Sequence, residues 1–457
     1  MNNVSTKGFT RRSLMKSAGA TLAAPLLMQS SARGAAATLP ASERVNLGFI
    51  GVGMMGRGHL RRLVDERAAQ ITAVCDVDQW RLTDAQSQVD RAYAAGQKSG
   101  QYKGCAAYKD FRELLARPDV DAVLIATGDR WHAVHTVMAA KAGKDIYCEK
   151  PISLTIHESR AMVDTVRRYG RVFQGGLQQR STREFRTAVR LIHEGRLGAL
   201  RVIYANRVGT NDFVNLPEEP VPATLDWDMW VGPAAWHPYN SRYHHLGQPK
   251  IVVPWRFNRD FCGGDMTTSA VHNLDIAQWA VGMDDSGPVE IRPPGPNETT
   301  VTYKYANGVI VQSFSHVLNE KEHYIPEGWD PKFKFDYSLL FVGERGWIYA
   351  GRKGILFASS PDLLADVGGN RTQAQTYADI EVPGAVHHRN WLQSIRTRQR
   401  PTSDVAISAR STDMAHLGSI AFWTGRTLKW DPIKEEFPGD DQANRMRQRA
   451  LREPWTL

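Results

Sequence analysis

The chain has 457 residues, with 57 Lys and Arg against 48 Asp and Glu and a formal net charge of +9. Five of those bases, Lys7, Arg11, Arg12, Lys16 and Arg33, fall within residues 1–37, which leaves 52 against 48, about +4, for the rest. A surplus so small and scattered argues against nucleic acid as a partner, and beyond residue 37 no run of 18 apolar residues is available to span a membrane.

Residues 1–37 contain no Asp or Glu. Thr10-Arg11-Arg12-Ser13-Leu14-Met15-Lys16 precedes a mildly apolar Ala/Leu stretch to Met28, and Ala35-Ala36-Ala37 offers a small-residue cleavage site. Twin arginines before a weak apolar region read as a Tat-type signal and predict export to the periplasm; an ordinary Sec signal and a basic tail are the competing readings. About 420 residues then remain, enough for two domains with their own cores.

Next comes Val45-Asn46-Leu47-Gly48-Phe49-Ile50, an apolar run ending in Gly51-Val52-Gly53-Met54-Met55-Gly56. A strand followed by G-x-G-x-x-G and a helix is the dinucleotide-binding pattern. Gly51 permits the tight turn, Gly53 admits a pyrophosphate to the helix N-terminus, and Gly56 lets that helix pack on the strand. A second strand, Ile71 to Cys75, delivers Asp76 where a carboxylate can accept from ribose hydroxyls; its charge would repel a 2′-phosphate, so NAD is expected rather than NADP. Met54, Met55 and Arg81 join the candidate cofactor contacts.

Strands and helices alternate from 44 to 170, with a helix over 108–115, a buried strand over 120–127, a helix over 131–142 and a strand over 145–149. Thr155 and Glu158 form a capping box for the next helix. This order predicts a parallel, doubly wound sheet. From 171 to 431 the runs alternate apolar and polar, at 200–206, 299–305, 309–316 and 338–343, which reads as a mostly antiparallel sheet. Helices are expected near 182–194, 270–282 and 404–424. Between them, 208–262 is long, aromatic and rich in Pro, His and Arg, the composition of a functional loop or interaction surface. The tail 432–457 is polar, with a helix expected over 439–452, and reads as a brace for a neighbouring domain or subunit. Cys75, Cys105, Cys148 and Cys262 lack metal-ligand spacing and read as buried thiols; no H-E-x-x-H accompanies His244-His245, so no metal is expected.

Taken in order, the glycine-rich turn with Asp76, Asp121 to Thr127, Glu149-Lys150-Pro151, Gly195-x-x-Gly198 and His272-Asn273-Leu274-Asp275 resemble the glucose–fructose oxidoreductase and inositol dehydrogenase family, Gfo/Idh/MocA. The matching pieces cover essentially the whole chain after the signal, Glu149-Lys150-Pro151 being the most specific. Leu225 to Pro233 is similar to a loop of exported, sugar-acting members. The resemblance implies a Rossmann domain, an α/β domain with a large, mostly antiparallel sheet, and homo-oligomers, dimers or tetramers, built through faces of that sheet. It also places Thr127, His132, Glu149 and Lys150 at the cofactor, although Gly128 stands where proline is usual after Thr127, and His132 reads equally as structural.

Within that resemblance Lys150 is the catalytic ammonium, stabilising the alkoxide that develops as hydride leaves. His272 is the candidate acid/base, and Asp275, one turn on, the residue to orient it. Family dehydrogenases carry Asp four residues before that His; here Thr268 stands instead and cannot accept a proton as a carboxylate does. Asp265 or a tyrosine of 236–245 is the expected substitute. Arg180, Tyr239, Arg242, His244, His245, Trp255, Arg256 and Thr268 are candidate substrate contacts, the aromatics for sugar C–H faces and the Arg and His for hydroxyls. His387 and His388 match a family position at the domain junction and read as structural.

An exported enzyme that released NADH at each turnover would stall without a free cofactor pool. The expected function is therefore sugar oxidoreduction by NAD-dependent hydride transfer with a tightly bound, recycled cofactor. The alternative resembles the NAD-dependent glycosidases of the superfamily, which oxidise, eliminate, hydrate and reduce within one turnover; their Tyr-Pro-Thr-His is Ser269-Ala270-Val271-His272 here. A cofactor-bound binding protein without turnover is the third reading.

Overall fold

The computed structural model describes residues 43–244, 254–367 and 383–457. Residues 1–37, read above as a signal, and His245 lie outside them.

The first sheet has six parallel strands in the order β3-β2-β1-β4-β5-β6: β1 (Val45–Ile50), β2 (Ala69–Cys75), β3 (Ala106–Tyr108), β4 (Ala122–Ile125), β5 (Asp145–Cys148) and β6 (Phe173–Gly175). The central strands β1, β4 and β5 are buried on both faces, which is why they read as continuous apolar runs, while the edge strand β3 is partly exposed. Helices α1 (Met54–Leu63), α2 (Gln79–Ala92), α3 (Phe111–Leu115), α4 (Asp129–Lys141) and α5 (Ile156–Arg168) make the crossovers. The order reverses between β1 and β4, and a ligand crevice opens above the carboxyl ends there. Thr155 caps α5 as expected, its Oγ1 accepting from Glu158 N at 3.3 Å, while the Glu158 carboxylate accepts from Leu154 N at 2.7 Å, one residue before the cap expected for the box. The strand β6 extends this sheet past the boundary read at residue 170.

Eight strands form the second sheet, in the order β13-β12-β11-β7-β10-β9-β8-β14. They are β7 (Leu200–Asn206), β8 (Glu290–Arg292), β9 (Val301–Lys304), β10 (Ile310–Phe314), β11 (Ser338–Gly343), β12 (Gly346–Gly351), β13 (Ile355–Ala358) and β14 (Leu428–Lys429). Every pairing is antiparallel except β7 with β10. One face packs on helices α6 (Arg183–His193), α7 (Val271–Val281) and α9 (Val405–Thr424), burying Phe185, Leu274, Met414 and Leu417 against Ile203, Tyr303 and Ile348. The other face carries an aromatic cluster, Tyr204, Phe314, Trp347 and Tyr349, covered by Leu318, Trp329 and Phe335 of the β10–β11 connection.

Helix α8 (Pro383–Thr397) comes late in sequence yet packs Trp391 and Leu392 into the first domain's core with Leu47 and Tyr147. All four cysteines are free and buried. The tail is helical only over Asp441–Arg445; beyond it, Arg449, Arg452 and Trp455 pack back on the chain itself. Among the described residues no helix is long and apolar enough to cross a membrane, and no group of His, Cys, Asp and Glu could hold a metal ion.

Candidate functional site

At the end of β1 the backbone turns at Gly51, whose φ of +88° favours glycine and where a Cβ would stand 2.7 Å from the Ala126 carbonyl oxygen. A Cβ at Gly56 would collide with the Gly51 carbonyl, so helix and turn approach as closely as they do only because both are glycine. Gly53 caps α1 without a side-chain acceptor, and the first turn holds no acid, so the helix N–H groups face the crevice free to bind an anion. Asp76 Oδ2 accepts from Val52 N at 2.9 Å and Oδ1 from Asp78 N at 3.0 Å, which fixes the carboxylate against the glycine turn. Free amides, a glycine-only approach and a positioned carboxylate fit a dinucleotide: Gly51 and Gly53 would admit its pyrophosphate, Gly56 lets the helix close on the turn, and Asp76 would take its ribose.

A single cavity of about 340 Å³ runs from that turn to the second domain. Gly51, Gly53, Met54, Met55, Asp76 and Arg81 line one end; Thr127, His132, Glu149 and Lys150 line the middle. The far wall is Trp255, Arg256, Thr268 and Tyr337. The His132 ring bridges the Pro151 and Thr127 carbonyls, at 2.6 and 3.1 Å, and so ties together the loops after β4 and β5. Glu149 Oε1 lies 2.9 Å from His59 Nε2, whose Nδ1 meets His388 Nε2 at 2.8 Å. Burial raises the Glu149 carboxyl pKa, but the His59 contact and Lys150 outweigh it and hold the group below the usual range.

Lys150 Nζ donates to the Thr268 carbonyl at 2.7 Å. Thr268 sits in a π-helical turn, Met266–Ala270, just before α7, a device that displaces residues from ordinary helix register and recurs at functional sites. Its Oγ1 donates to Gly264 O and accepts from Arg256 Nη2, both at 2.9 Å. Thr268 therefore does not replace an acid; it holds two cations, Lys150 and Arg256, in place.

Other expected residues either lie outside the cavity lining or spend their polar atoms on the fold. His272 is buried with its Nδ1 unpartnered and is not part of the lining; burial, then Lys150 and Arg352, push its pKa well below the ordinary value, so the imidazole is neutral. Asp275 does not orient it: Oδ1 accepts from Arg180 Nε at 2.8 Å and from Ser411 at 2.6 Å. Burial raises the Asp275 pKa to about 6. Arg180 is 2% exposed and also forks onto Asp284 at 2.7 and 2.9 Å, so its guanidinium is consumed inside the second domain instead of reaching substrate. Arg242 is exposed outside the cavity, and Tyr239 packs edge-on to Trp227 behind it. His244 lines the cavity, but its Nδ1 accepts from Trp230 Nε1 and its Nε2 contacts Asp78 Oδ2, both at 3.0 Å. Its role is to fasten, since neither nitrogen is left for substrate. The expected substitutes fare likewise: Tyr243 lines the cavity but spends its hydroxyl on the Val214 carbonyl, and Asp265 stands outside the lining.

Sequence reasoning missed two features. Tyr337 lines the far wall at φ +46°, a conformation rare for a side-chain-bearing residue, with the Arg207 and Arg352 guanidiniums 4.4 and 3.9 Å from its ring centre. No local pattern marks it; the positive φ is visible only in the fold. The second is a clasp, residues 224–244, closed over the crevice. Gln79 N donates to Thr224 O at 3.0 Å and Asp226 N to Val77 O at 3.1 Å. Arg130 donates to the carbonyls of Trp230 and Val231, and Trp131 Nε1 to Met229 O at 2.9 Å. Arg452 and Arg449 of the tail then hold the Gly232 and Pro233 carbonyls from outside, at 2.8 and 3.3 Å.

Residues 45–177 match the model of an oxidoreductase family with an NAD-binding Rossmann fold, and 200–334 with 347–457 match the C-terminal α/β domain of the same family. A glycosyl hydrolase family 109 protein of Shewanella pealeana is 37% identical over 131 residues, 28% of this chain and 28% of that protein. The inositol 2-dehydrogenase of Salmonella typhimurium is 26% identical over 216 residues, 47% of this chain and 55% of that one. The chain thus spans about half, or less, of the length of these relatives. In fold it is similar to a levoglucosan dehydrogenase solved with NADH (TM-score 0.58, 18% identity, 84% of this chain and 99% of that one). It is equally similar to an aldose-aldose oxidoreductase of Caulobacter crescentus (TM-score 0.56, 17% identity, 84% and 99%). With both domains matched along nearly all the described residues, the chain belongs to the Gfo/Idh/MocA oxidoreductase family, and its first domain is an NAD-binding Rossmann domain.

Proposed function

We propose that the protein oxidises or reduces a sugar or sugar derivative with an NAD that stays bound and is regenerated in place. The observation that carries this reading is the continuous cavity in which the cradle of Gly51 to Asp76 leads directly to Lys150 and the Arg256–Thr268–Tyr337 wall. NAD supplies a hydride acceptor when bound. The chain supplies the rest: Lys150, oriented by the Thr268 carbonyl, lies where an ammonium steadies a developing alkoxide, and the clasp keeps bulk water out. The clasp supports retention, because a dinucleotide under 224–244 leaves only when several buried hydrogen bonds open together.

The test is to denature purified protein and assay the released nicotinamide per chain, then follow 340 nm absorbance of the native protein as sugars are added. Retained cofactor reduced by one sugar and reoxidised by a second is the expected result. Cofactor lost on dilution would end the recycling scheme. The family 109 relatives favour one other reading, redox-neutral glycoside cleavage; nitrophenol release from aryl glycosides without net 340 nm change would select it. Two further parts of the proposal rest on the sequence. Export through the Tat route rests on Arg11 and Arg12 and is tested by Arg11→Lys/Arg12→Lys retention in the cytoplasm. A homo-oligomer, dimer or tetramer, is tested by light scattering.

A further inference from the structure

The cavity and the layer behind its far wall carry positive charge that the described residues only partly neutralise. Lys150 is half-buried and gives its ammonium to a carbonyl, that of Thr268. Arg352, also half-buried, donates Nε to the neutral amide of Gln179 at 3.0 Å and lays its guanidinium on Tyr337. Among the described residues neither has a carboxylate within ion-pair distance. Arg256 faces the cavity, held by Thr268 Oγ1, and its nearest acid is Asp265 at 3.7 Å, half-exposed to water. Arg207 is the exception, paired to the exposed Asp336 at 2.7 Å.

Of the cavity's acids, Asp76 is bound to the glycine turn, Glu149 is bound to His59 and lies beside Lys150, and Asp129 is buried at the start of α4. None belongs to the wall formed by Trp255, Arg256, Thr268 and Tyr337. Arg256 is the cation of that wall, and its 3.7 Å pair with the half-exposed Asp265 is weakened by water, so a ligand carboxylate seated inside the cavity would offer it a drier partner. A planar guanidinium fixed by a threonine matches a planar carboxylate, which it can grip with two parallel N–H bonds.

We propose that the substrate is a sugar acid, a hexuronate, whose carboxylate seats on Arg256 while a carbinol of the same ring lies at Lys150. This rests on the oxidoreductase reading of the cavity and adds to it the class of sugar. Oxidation of that carbinol sends hydride from carbon to the oxidised dinucleotide and the hydroxyl proton to solvent, and the carboxylate itself is unchanged.

The experiment uses cofactor-loaded protein at about 0.15 M salt, where exposed charge pairs are screened and half-buried ones less so. Calorimetry measures binding of D-galacturonate, D-glucuronate, D-galactose, D-glucose and glucose 6-phosphate, and 340 nm absorbance measures reduction by each. A uronate should bind roughly ten-fold or more tightly than its neutral parent, the value of a charge-assisted pair. Arg256→Gln should collapse that preference and Arg256→Lys restore part of it. Equal or tighter binding of the neutral sugars, preference for the phosphate ester, no binding of either uronate, or a preference indifferent to Arg256→Gln would each overturn the proposal. Uronate binding that depends on Arg256 without any 340 nm change would uphold the ligand class and remove the oxidoreductase reading, whereas reduction by neutral sugars alone would do the reverse.

Discussion

Lys150 and Tyr337 show how differently two residues of one wall present themselves. Lys150 is announced by the Glu149-Lys150-Pro151 motif at a strand end, and the fold places it in the cavity. Its replacement, Lys150→Met, should lower single-turnover hydride transfer by roughly 10²–10³-fold, the usual effect of removing one group that stabilises a developing oxyanion. Cofactor content, assayed after denaturation, should be unchanged. Tyr337 lines the cavity with its hydroxyl held only by a long bond to Ser269 Oγ, 3.5 Å, so Tyr337→Phe should cost roughly ten-fold in kcat/KM with the cofactor retained; an unchanged kcat/KM would reduce it to packing. Nothing in the sequence marks Tyr337, because its significance comes from a backbone angle and from arginines on two other elements. Asp275 shows the opposite failure. Helical spacing puts it on the face of His272, but spacing cannot reveal that Arg180, from another element, takes the carboxylate first.

Among elements, the parallel strands are legible because burial on both faces leaves continuous apolar runs at β1, β2, β4 and β5. The strands β7 and β10 are legible by alternation, whereas β11, read as half-buried, is buried from Ser338 to Val342 because the helical layer covers one face and the aromatic cluster the other. The short β8 and β14 lack enough residues to show a period, and β12, Gly-Trp-Ile-Tyr-Ala-Gly, reads as neither pattern because its apolar residues face both a helical layer and the aromatic cluster. The tail helix read over 439–452 shortens to Asp441–Arg445, since the arginines beyond it bond to carbonyls elsewhere in place of their own helix. The stretch 208–262 reads as functional, but its closure through His244 and Asp78 joins residues far apart in sequence. His244→Ala should loosen that closure: the cofactor dissociation rate, followed by exchange into excess labelled NAD, should rise several-fold while Lys150-dependent chemistry per bound cofactor persists. An unaltered exchange rate would show that the clasp closes without this histidine.

At the scale of the molecule, the two domains meet where α5 packs on α9. Ser159 donates to Asp413 Oδ1 at 2.7 Å in a site that excludes water. Burial raises the Asp413 pKa to about 8, with the Ser159 contact opposing and Glu435 adding to the shift. A carboxyl whose folded pKa exceeds its unfolded value contributes stability that is complete below the unfolded pKa and is lost as pH climbs through the folded one. The melting temperature should therefore decline between about pH 4 and pH 8 on this account. Asp413→Asn, which keeps an acceptor for Ser159, should flatten that part of the profile; an unaltered slope would place the pH dependence elsewhere.

The clasp also changes what it means for such a protein to be loaded. When a guest is covered by hydrogen-bonded chain, entry and departure are both gated by local unfolding, and occupancy records the conditions under which each copy first folded. Protein refolded from urea without NAD should thus become a slow-filling population, taking up ligand over the time of spontaneous opening instead of at diffusive speed. Two preparations of identical sequence could then differ durably in competence through their biosynthetic history alone, and stopped-flow uptake against refolding conditions would measure that memory.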